Sequence, residues 1–177
     1  MKKIILIAII AFGSIQTFAQ KTWNTRNAKI SFVAQKDDEV AAVNNEVNSR
    51  LTDKGEFVFN LLMKGFKFEL AEMQDHFNAE YIESNKYPSA NFKGQIVNVK
   101  AVNFAKDGVY KVVVKGIMTM HGASRPMLAN GTVEVKGGKI KADSKFTLNL
   151  KDFNVKTGLG GAVTGDKINV TVTSQYQ

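Results

Sequence analysis

The sequence of 177 residues contains no cysteine and only two histidines. Without cysteine the chain can form no disulfide and cannot take the lipid-anchored form of bacterial signal processing. A zinc site usually needs three or four N, S or O ligands, so two histidines without cysteine make a poor metal site. We therefore predict no metal and no cofactor. A site built from His76, His121 and an acid is the alternative that the composition leaves open.

Motifs that carry catalysis are also missing. Gly158-Leu-Gly-Gly161 fails as a phosphate loop, because Val163 stands where a third glycine is needed and strands flank the segment. We interpret it as a hairpin or rim loop. There is no G-x-S-x-G elbow, and Ser124 beside His121 lacks an oriented partner. The sequence predicts a protein that is not an enzyme.

No apolar run is long enough to span a bilayer, which takes about 20 residues. At the N-terminus two lysines precede a short apolar run, residues 4–12, and a small residue, Ala19, follows. This arrangement is typical of a secretory signal peptide. We predict a signal peptide at 1–20, cleaved after Ala19 or Gln20, and one domain at 21–177 in the periplasm or outside the cell. An uncleaved anchor is the alternative.

The charge of the chain is positive but dispersed. The formal net charge is +8, and it falls to +6 without the two lysines of the leader. Lysines and arginines stand singly, with no run like a nucleic-acid-binding arm, so we predict no nucleic-acid partner. Weak attraction to anionic surfaces, and hence transient contact with a membrane, is compatible with this charge. Charge that only keeps the protein in solution is the alternative, and a homodimer is left open.

From Thr22 onward most segments alternate apolar and polar residues with period two, which predicts half-buried strands. Eight such strands contain, in order, Ala28, Ile30 and Phe32; residues 39–47; Phe57, Phe59 and Leu61; Ala90, Phe92, Gly94 and Ile96; Tyr110, Val112, Val114 and Met118; Val133 and Val135; residues 140–150; and Ile168, Val170 and Val172. Turn signals at 53–55, 106–108 and 137–138 separate them. Eight antiparallel strands can close into a barrel, although a sandwich has the same local pattern.

One segment breaks the period of two. Its apolar residues recur at steps of three and four: Leu70, Met73, Phe77 and Tyr81. This spacing puts them on one face of a helix, which we predict over residues 70–85. Pro88 cannot continue a helix, and a strand begins again at Ala90.

Three pieces of the sequence resemble the YceI-like family. MQDHFNAEYIESNKYPSANFKG (73–94) resembles its signature, in which a helical insert ends in YP and is followed by an F strand. GIMTMHGASRPM (116–127) resembles its strand-turn-strand, and FTLNLKDFNV (146–155), followed by GDKINVTVT, its closing hairpin. The resemblance runs from Thr22 to Tyr176. It implies a lipocalin-like antiparallel β-barrel in the bacterial periplasm that holds a long isoprenoid lipid, with His121 packing or hydrogen-bonding in its turn.

Aromatic residues are the remaining signal. Twelve phenylalanines, mostly spaced by two along strands, suit either an ordinary core or the wall of an elongated apolar cavity. Gly94 and Gly116 weaken their strands unless a lipid tail or an inward-tilted phenylalanine lies close to the backbone. The predicted ligand-binding residues are Phe32, Phe57, Phe59, Met73, Phe77, Tyr81, Phe92, Val112, Val114, Phe146 and Leu148.

The energetics of such a ligand require a long and dry cavity. Each buried CH₂ contributes about 0.8 kcal/mol, so about 20 of them give roughly 16 kcal/mol, against an association cost of ~4–15 kcal/mol. No catalytic group is needed. We predict that the protein binds an apolar isoprenoid or quinone-like lipid for carriage, storage or protection. The alternative is a packed β-domain that acts as a structural or protein-interaction module.

Overall fold

A computed structural model describes residues 20–37, 39–156 and 165–176. The predicted signal peptide up to Ala19 and the predicted rim loop at 158–161 lie outside the described residues. Within them the chain forms nine strands and one short α-helix. They are β1 (Thr22–Ala34), β2 (Ala41–Thr52), β3 (Glu56–Leu62), β4 (Lys67–Phe68), α1 (Ala71–His76), β5 (Ser89–Ile96), β6 (Gly108–Met120), β7 (Ala123–Lys136), β8 (Lys139–Asn149) and β9 (Lys167–Tyr176).

The strands form a closed antiparallel barrel. Their order is β1-β9-β8-β7-β6-β5-β3-β2, and β1 also pairs with β2, so the sheet returns to its first strand. The two-residue β4 adds to β2 beside the mouth of the barrel. The eight-stranded antiparallel barrel predicted from the sequence is therefore confirmed. Closure gives each of the eight strands two neighbours, so most of the edge that an open sheet would expose is paired.

The second strand is longer than predicted. The expectation was residues 39–47, whereas β2 runs from Ala41 to Thr52. Its register against β1 shifts between Ile30↔Asn44 and Ala28↔Val47, which leaves one extra residue in β2. This bulge interrupts the period of two, so alternation could not be followed through it. The buried Asn44 side chain supports the bulge: its Oδ1 accepts from Glu46 N at 2.9 Å and its Nδ2 donates to Leu62 O at 3.0 Å.

The helix is shorter than predicted. The expectation was residues 70–85, whereas α1 ends at His76 and continues as one wider π-helical turn, Phe77–Tyr81. The chain then leaves the helical path, and Glu83 takes a left-handed backbone with φ 48°. A non-glycine residue in this conformation carries no signature in sequence periodicity. The predicted apolar face was correct for Phe77, which is buried, but wrong for Leu70, which precedes α1 and is 56% exposed.

Two clusters of buried residues pack inside the barrel, one toward each end. The packed end contains Trp23, Leu51, Phe57, Ile96, Val102, Val112, Val133, Val135, Ile140, Ala142 and Tyr176. There Trp23 stacks on Phe104 with centroids 5.1 Å apart, and Ser49 Oγ lies 2.6 Å from Tyr176 Oη. Burial raises the pKa of Tyr176 to about 12, so the phenol stays protonated. The helix end contains Phe32, Phe66, Phe77, Ile82, Met120, Leu148 and neighbouring apolar residues.

Candidate ligand-binding site

A cavity of about 440 Å³ lies in the barrel between the helix end and the packed end. Its volume falls in the range of about 300–1,000 Å³ that is usual for small-molecule sites. The wall runs from Met73 and Tyr81 on the helical segment to Phe57 and Ala142 near the packed end, and most of its residues are apolar. The fully packed interior that the alternative interpretation required is therefore wrong.

The structure brings the predicted ligand-binding residues together around this cavity. Those that line it are Phe32, Phe57, Phe59, Met73, Phe77, Tyr81, Phe92, Val112, Val114, Phe146 and Leu148. Period-two strands put the strand residues on the inner face, and the helical spacing turns Met73, Phe77 and Tyr81 toward the same space. Their part in binding a ligand stays a prediction.

Four phenyl rings hold the helical segment on the barrel. Phe32 of β1 lies at their centre, with ring centroids 5.3 Å from Phe66, 5.9 Å from Phe68 and 6.0 Å from Phe77. Phe68 and Phe77 are also 5.0 Å apart. Aromatic pairs at these distances contribute about 0.5–1.5 kcal/mol each beyond their buried area. Phe66 and Phe68 were not predicted as lining residues, although their alternation around Lys67 was a usable signal.

Phe92 covers a pair of glycines in the wall. Gly94 of β5 and Gly116 of β6 are opposite each other in the ladder. A Cβ built on Gly94 would lie 2.5 Å from Phe92 Cζ, and one on Gly116 2.6 Å from the same atom. The close approach expected from these glycines is thus confirmed. The Phe92 ring approaches both, and at Gly116 the backbone atoms Lys93 O and Gly94 Cα are nearer still, at 2.4 and 2.5 Å. Phe59, cross-strand from Phe92, stacks on Phe57 at 5.7 Å.

Small inward residues on β7 and β8 make room for the cavity. They are Ala129, Gly131, Ala142 and Ser144, and sequence reasoning missed their role because small residues carry little hydrophobic signal. The β7–β8 pairing also stops at Gly131↔Ser144. Beyond that point, within the described residues, β7 pairs only with β6 and β8 only with β9. We call this divergence the β7–β8 seam. Met127 and Ala129 on one side and Phe146 on the other line the cavity there.

The mouth beside the helical segment is polar. His76 Nδ1 lies 2.9 Å from Glu80 Oε1, and His76 Nε2 lies 3.7 Å from Glu72 Oε1. His76 and Glu80 both reach the rim of the cavity. The Glu80 carboxylate, and the Glu72 carboxylate after it, raise the pKa of His76 above its usual 6.5. The site therefore combines an apolar interior with an exposed hydrogen-bonding rim.

The second histidine holds three loops together away from this rim. His121 is buried, with Nδ1 3.1 Å from Phe153 O and Nε2 3.2 Å from Glu83 Oε2. Its ring packs on Tyr87 at a centroid distance of 4.3 Å. His121 and Gly122 form the two-residue β6–β7 turn with φ 50° and 73°. The packing and hydrogen-bonding role expected for His121 is confirmed. In the described part of the chain no group of three or more metal-ligating side chains is assembled.

None of the helices in the described ranges has the length and apolar character needed to cross a membrane.

The YceI-like domain family matches residues 19–176. A protein of Shigella flexneri called Protein YceI is 33% identical over 99 residues, which cover 52% of this chain and 48% of that protein. The match thus spans about half the length of this relative.

Solved structures of low sequence identity share the fold. A polyisoprenoid binding domain from Saccharophagus degradans, implicated in plant cell wall breakdown, superposes with a TM-score of 0.76 at 12% identity and covers 88% of this chain and 97% of its own. BcnA of Burkholderia cenocepacia gives a TM-score of 0.64 at 15% identity, covering 85% and 96%. At such identities the likeness concerns the barrel itself.

Proposed function

The chain belongs to the YceI-like family, and from that premise and the geometry of its cavity we propose that it binds a long apolar lipid of isoprenoid or quinone-like type. The observation that carries the proposal is the cavity of about 440 Å³ inside the barrel. It lies against the packed end, where Tyr176 and Leu51 are buried. The polyisoprenoid-binding domain of Saccharophagus degradans, which shares the barrel, supports the choice of ligand class.

An empty cavity of this size is energetically expensive. Its apolar walls either lack partner atoms or meet water that enters through the mouth, and both situations are unfavourable. An apolar chain that fills the space restores the missing dispersion contacts and keeps water from apolar walls. We therefore expect the protein to be occupied by lipid when isolated under mild conditions.

The rim favours an uncharged head group at the mouth. Glu72 and Glu80 flank His76 there and would repel a nearby anion. A carbonyl or hydroxyl could instead exchange hydrogen bonds with His76 or Glu80. An apolar chain with a small neutral polar end, as in a quinone, matches this division. Carriage, storage and protection of the lipid are all compatible with it, in a non-enzymatic protein of the periplasm or cell exterior.

Native mass spectrometry and organic extraction of the purified protein test the proposal. We expect an apolar lipid to be released, and reloading at about 100 times Kd to stabilise the protein by about 2.7 kcal/mol. Val114→Trp should displace the lipid, because the new side chain occupies the cavity, at a stability cost of ~1–3 kcal/mol. Lys111→Trp, on the outer face of the same strand, is the matched control and should keep it. No lipid in wild type, or full loading of Val114→Trp, would contradict the proposal.

A further inference from the structure

The outer face of β6 and β7 carries an exposed apolar patch. Ile117 is 48% exposed and Leu128 67% exposed. Pro126 is paired opposite Ile117 and lies two residues before Leu128 on the same face of β7, and it is also exposed. These three residues, which we call the β6–β7 patch, are contiguous. A contiguous exposed apolar patch rimmed by polar groups is a candidate contact surface for a protein or a membrane.

Two lysines lie beside this patch. Lys93 of β5 is opposite Ile117, and Lys115 is opposite Leu128. Both side chains are exposed. Across the sequence from 89 to 131 there are five lysines, one arginine and a single acid, Asp107.

The one acid in that stretch lies far from the patch. Asp107 precedes β6 at the opposite end of the strand, where its Oδ1 accepts from Gly137 N at 3.0 Å. The β5–β7 wall is therefore basic at the patch.

The helical segment beside the mouth has the opposite charge. Residues 69–86 contain five acids and one lysine. Leu62 and Leu70 are also exposed, but Leu70 lies between Glu69 and Glu72. An anionic surface would be repelled at Leu70 and attracted at the β6–β7 patch. Charge thus distinguishes Leu70 from the β6–β7 patch.

The β7 residues of the β6–β7 patch lie on the outer face of the strand, and the inner face of the same stretch borders the β7–β8 seam. On β7, Pro126 and Leu128 point outward while Met127 and Ala129 line the cavity. This is the stretch of β7 that lies beyond the last β7–β8 pair, Gly131↔Ser144. When a bilayer contacts Leu128, only β7 separates a lipid chain in that bilayer from the cavity.

From these observations we propose that the β6–β7 patch docks on an anionic phospholipid surface and presents the β7–β8 seam to the bilayer as the route of lipid exchange. Ile117, Pro126 and Leu128 enter the interface, and Lys93 and Lys115 contact phosphate groups. The exchange route rests on the proposed lipid-binding function, whereas the docking contact does not.

Flotation with vesicles tests the docking. Wild-type protein is mixed with phosphatidylcholine vesicles that contain phosphatidylglycerol, and with pure phosphatidylcholine vesicles. We expect binding to the anionic vesicles, and its loss at high salt. Lys115→Gln should weaken binding about fivefold, since each basic residue near such a surface contributes about 1 kcal/mol. Leu128→Ser should weaken it by about tenfold, because a large apolar side chain leaves the interface.

Two control variants match these changes in exposure and charge. Val109 is 67% exposed like Leu128, but it lies at the opposite end of β6, so Val109→Ser should bind like wild type. Lys136→Gln removes one exposed charge at the far end of β7 and should have less effect than Lys115→Gln. Equal losses in patch and control variants would overturn the docking site, as would equal binding to neutral vesicles. So would a wild-type protein that binds no vesicles but binds another protein through Leu128.

Extraction of the same samples separates this inference from the proposed function. Lipid that co-purifies with a protein unable to bind vesicles would overturn the docking surface and leave lipid binding intact. Vesicle binding without any extractable lipid would overturn the proposed function and the exchange route. Full support is vesicle binding with faster transfer of the extracted lipid to anionic vesicles, and about tenfold slower transfer for Leu128→Ser than for Val109→Ser.

Discussion

Replacing Gly116 by alanine is expected to destabilise the barrel, against the usual direction of such a change. Where the backbone conformation permits, Gly→Ala stabilises by about 0.4–1 kcal/mol because the unfolded chain loses freedom. At Gly116, however, the new Cβ would lie 2.4 Å from Lys93 O and 2.5 Å from Gly94 Cα. Both are backbone atoms, so β5 and β6 must move apart. We expect a net loss of about 1–3 kcal/mol, the usual cost of overpacking.

Gly94→Ala, at the residue paired with Gly116, separates the part of the destabilisation due to the Phe92 ring from the part due to the backbone. A Cβ there would lie 2.5 Å from Phe92 Cζ and 2.7 Å from Lys115 O. Shortening Phe92 to leucine relieves the first contact and leaves the second. We expect Phe92→Leu to offset part of the Gly94→Ala cost, with a coupling energy of about 0.5–3 kcal/mol. The coupling between Phe92→Leu and Gly116→Ala should be smaller, because two backbone contacts persist.

Thermal unfolding measures both effects. For a domain of this size each kcal/mol corresponds to a shift in Tm of about 2–4 °C. Gly108→Ala is the control, since its Cβ would meet the end of the Tyr110 side chain no closer than 3.2 Å. A Gly116→Ala protein as stable as wild type would show that the strands do not approach as closely as described, and the account of Phe92 would fail with it.

Two further predictions concern the histidines. NMR titration should show the pKa of His76 above 6.5, and Glu80→Gln should lower the pKa toward that value. Because the pKa of His76 is raised in the folded state, any stabilisation from the His76–Glu80 pair is present at low pH. This stabilisation is lost as the pH rises through the folded pKa. His121→Asn keeps a residue that tolerates the left-handed backbone but leaves Phe153 O and Glu83 without the imidazole, so urea unfolding should show a loss of about 1–3 kcal/mol. An unchanged urea midpoint would show that the buried imidazole contributes nothing to stability.

Alternation of apolar residues was sufficient to predict the strands, because each has one face toward the interior and one toward solvent. It failed wherever the chain departs from regular pairing. The bulge opposite Ala28 concealed the second half of β2, and the left-handed Glu83 ended the helical path early. Both irregularities depend on partners distant in sequence, since Asn44 bonds to Leu62 and Glu83 to His121. Local patterns contain no information about such partners.

The cavity was predictable in its aromatic wall but not in its volume. Large inward residues such as Phe59 and Phe92 are visible in the sequence as period-two hydrophobic positions. The cavity volume depends on where side chains are small, and Ala129 and Gly131 give the same weak hydrophobic signal in a packed strand as in a cavity wall. Whether two strands stay paired to their ends is likewise a property of both, so the β7–β8 seam could be found only in three dimensions.

The way the barrel closes sets the order in which it can form. Its first strand pairs with its last, from Lys29↔Thr173 to Ala34↔Ile168, across nearly the whole chain. Contacts so far apart in sequence form late and slowly, because a long loop must be ordered before they gain anything. Until β9 arrives the sheet stays open along β1 and β8, and the interior stays accessible to water and to chaperones. A chain that emerges from a ribosome is thus held in an unclosed form until its final strand appears.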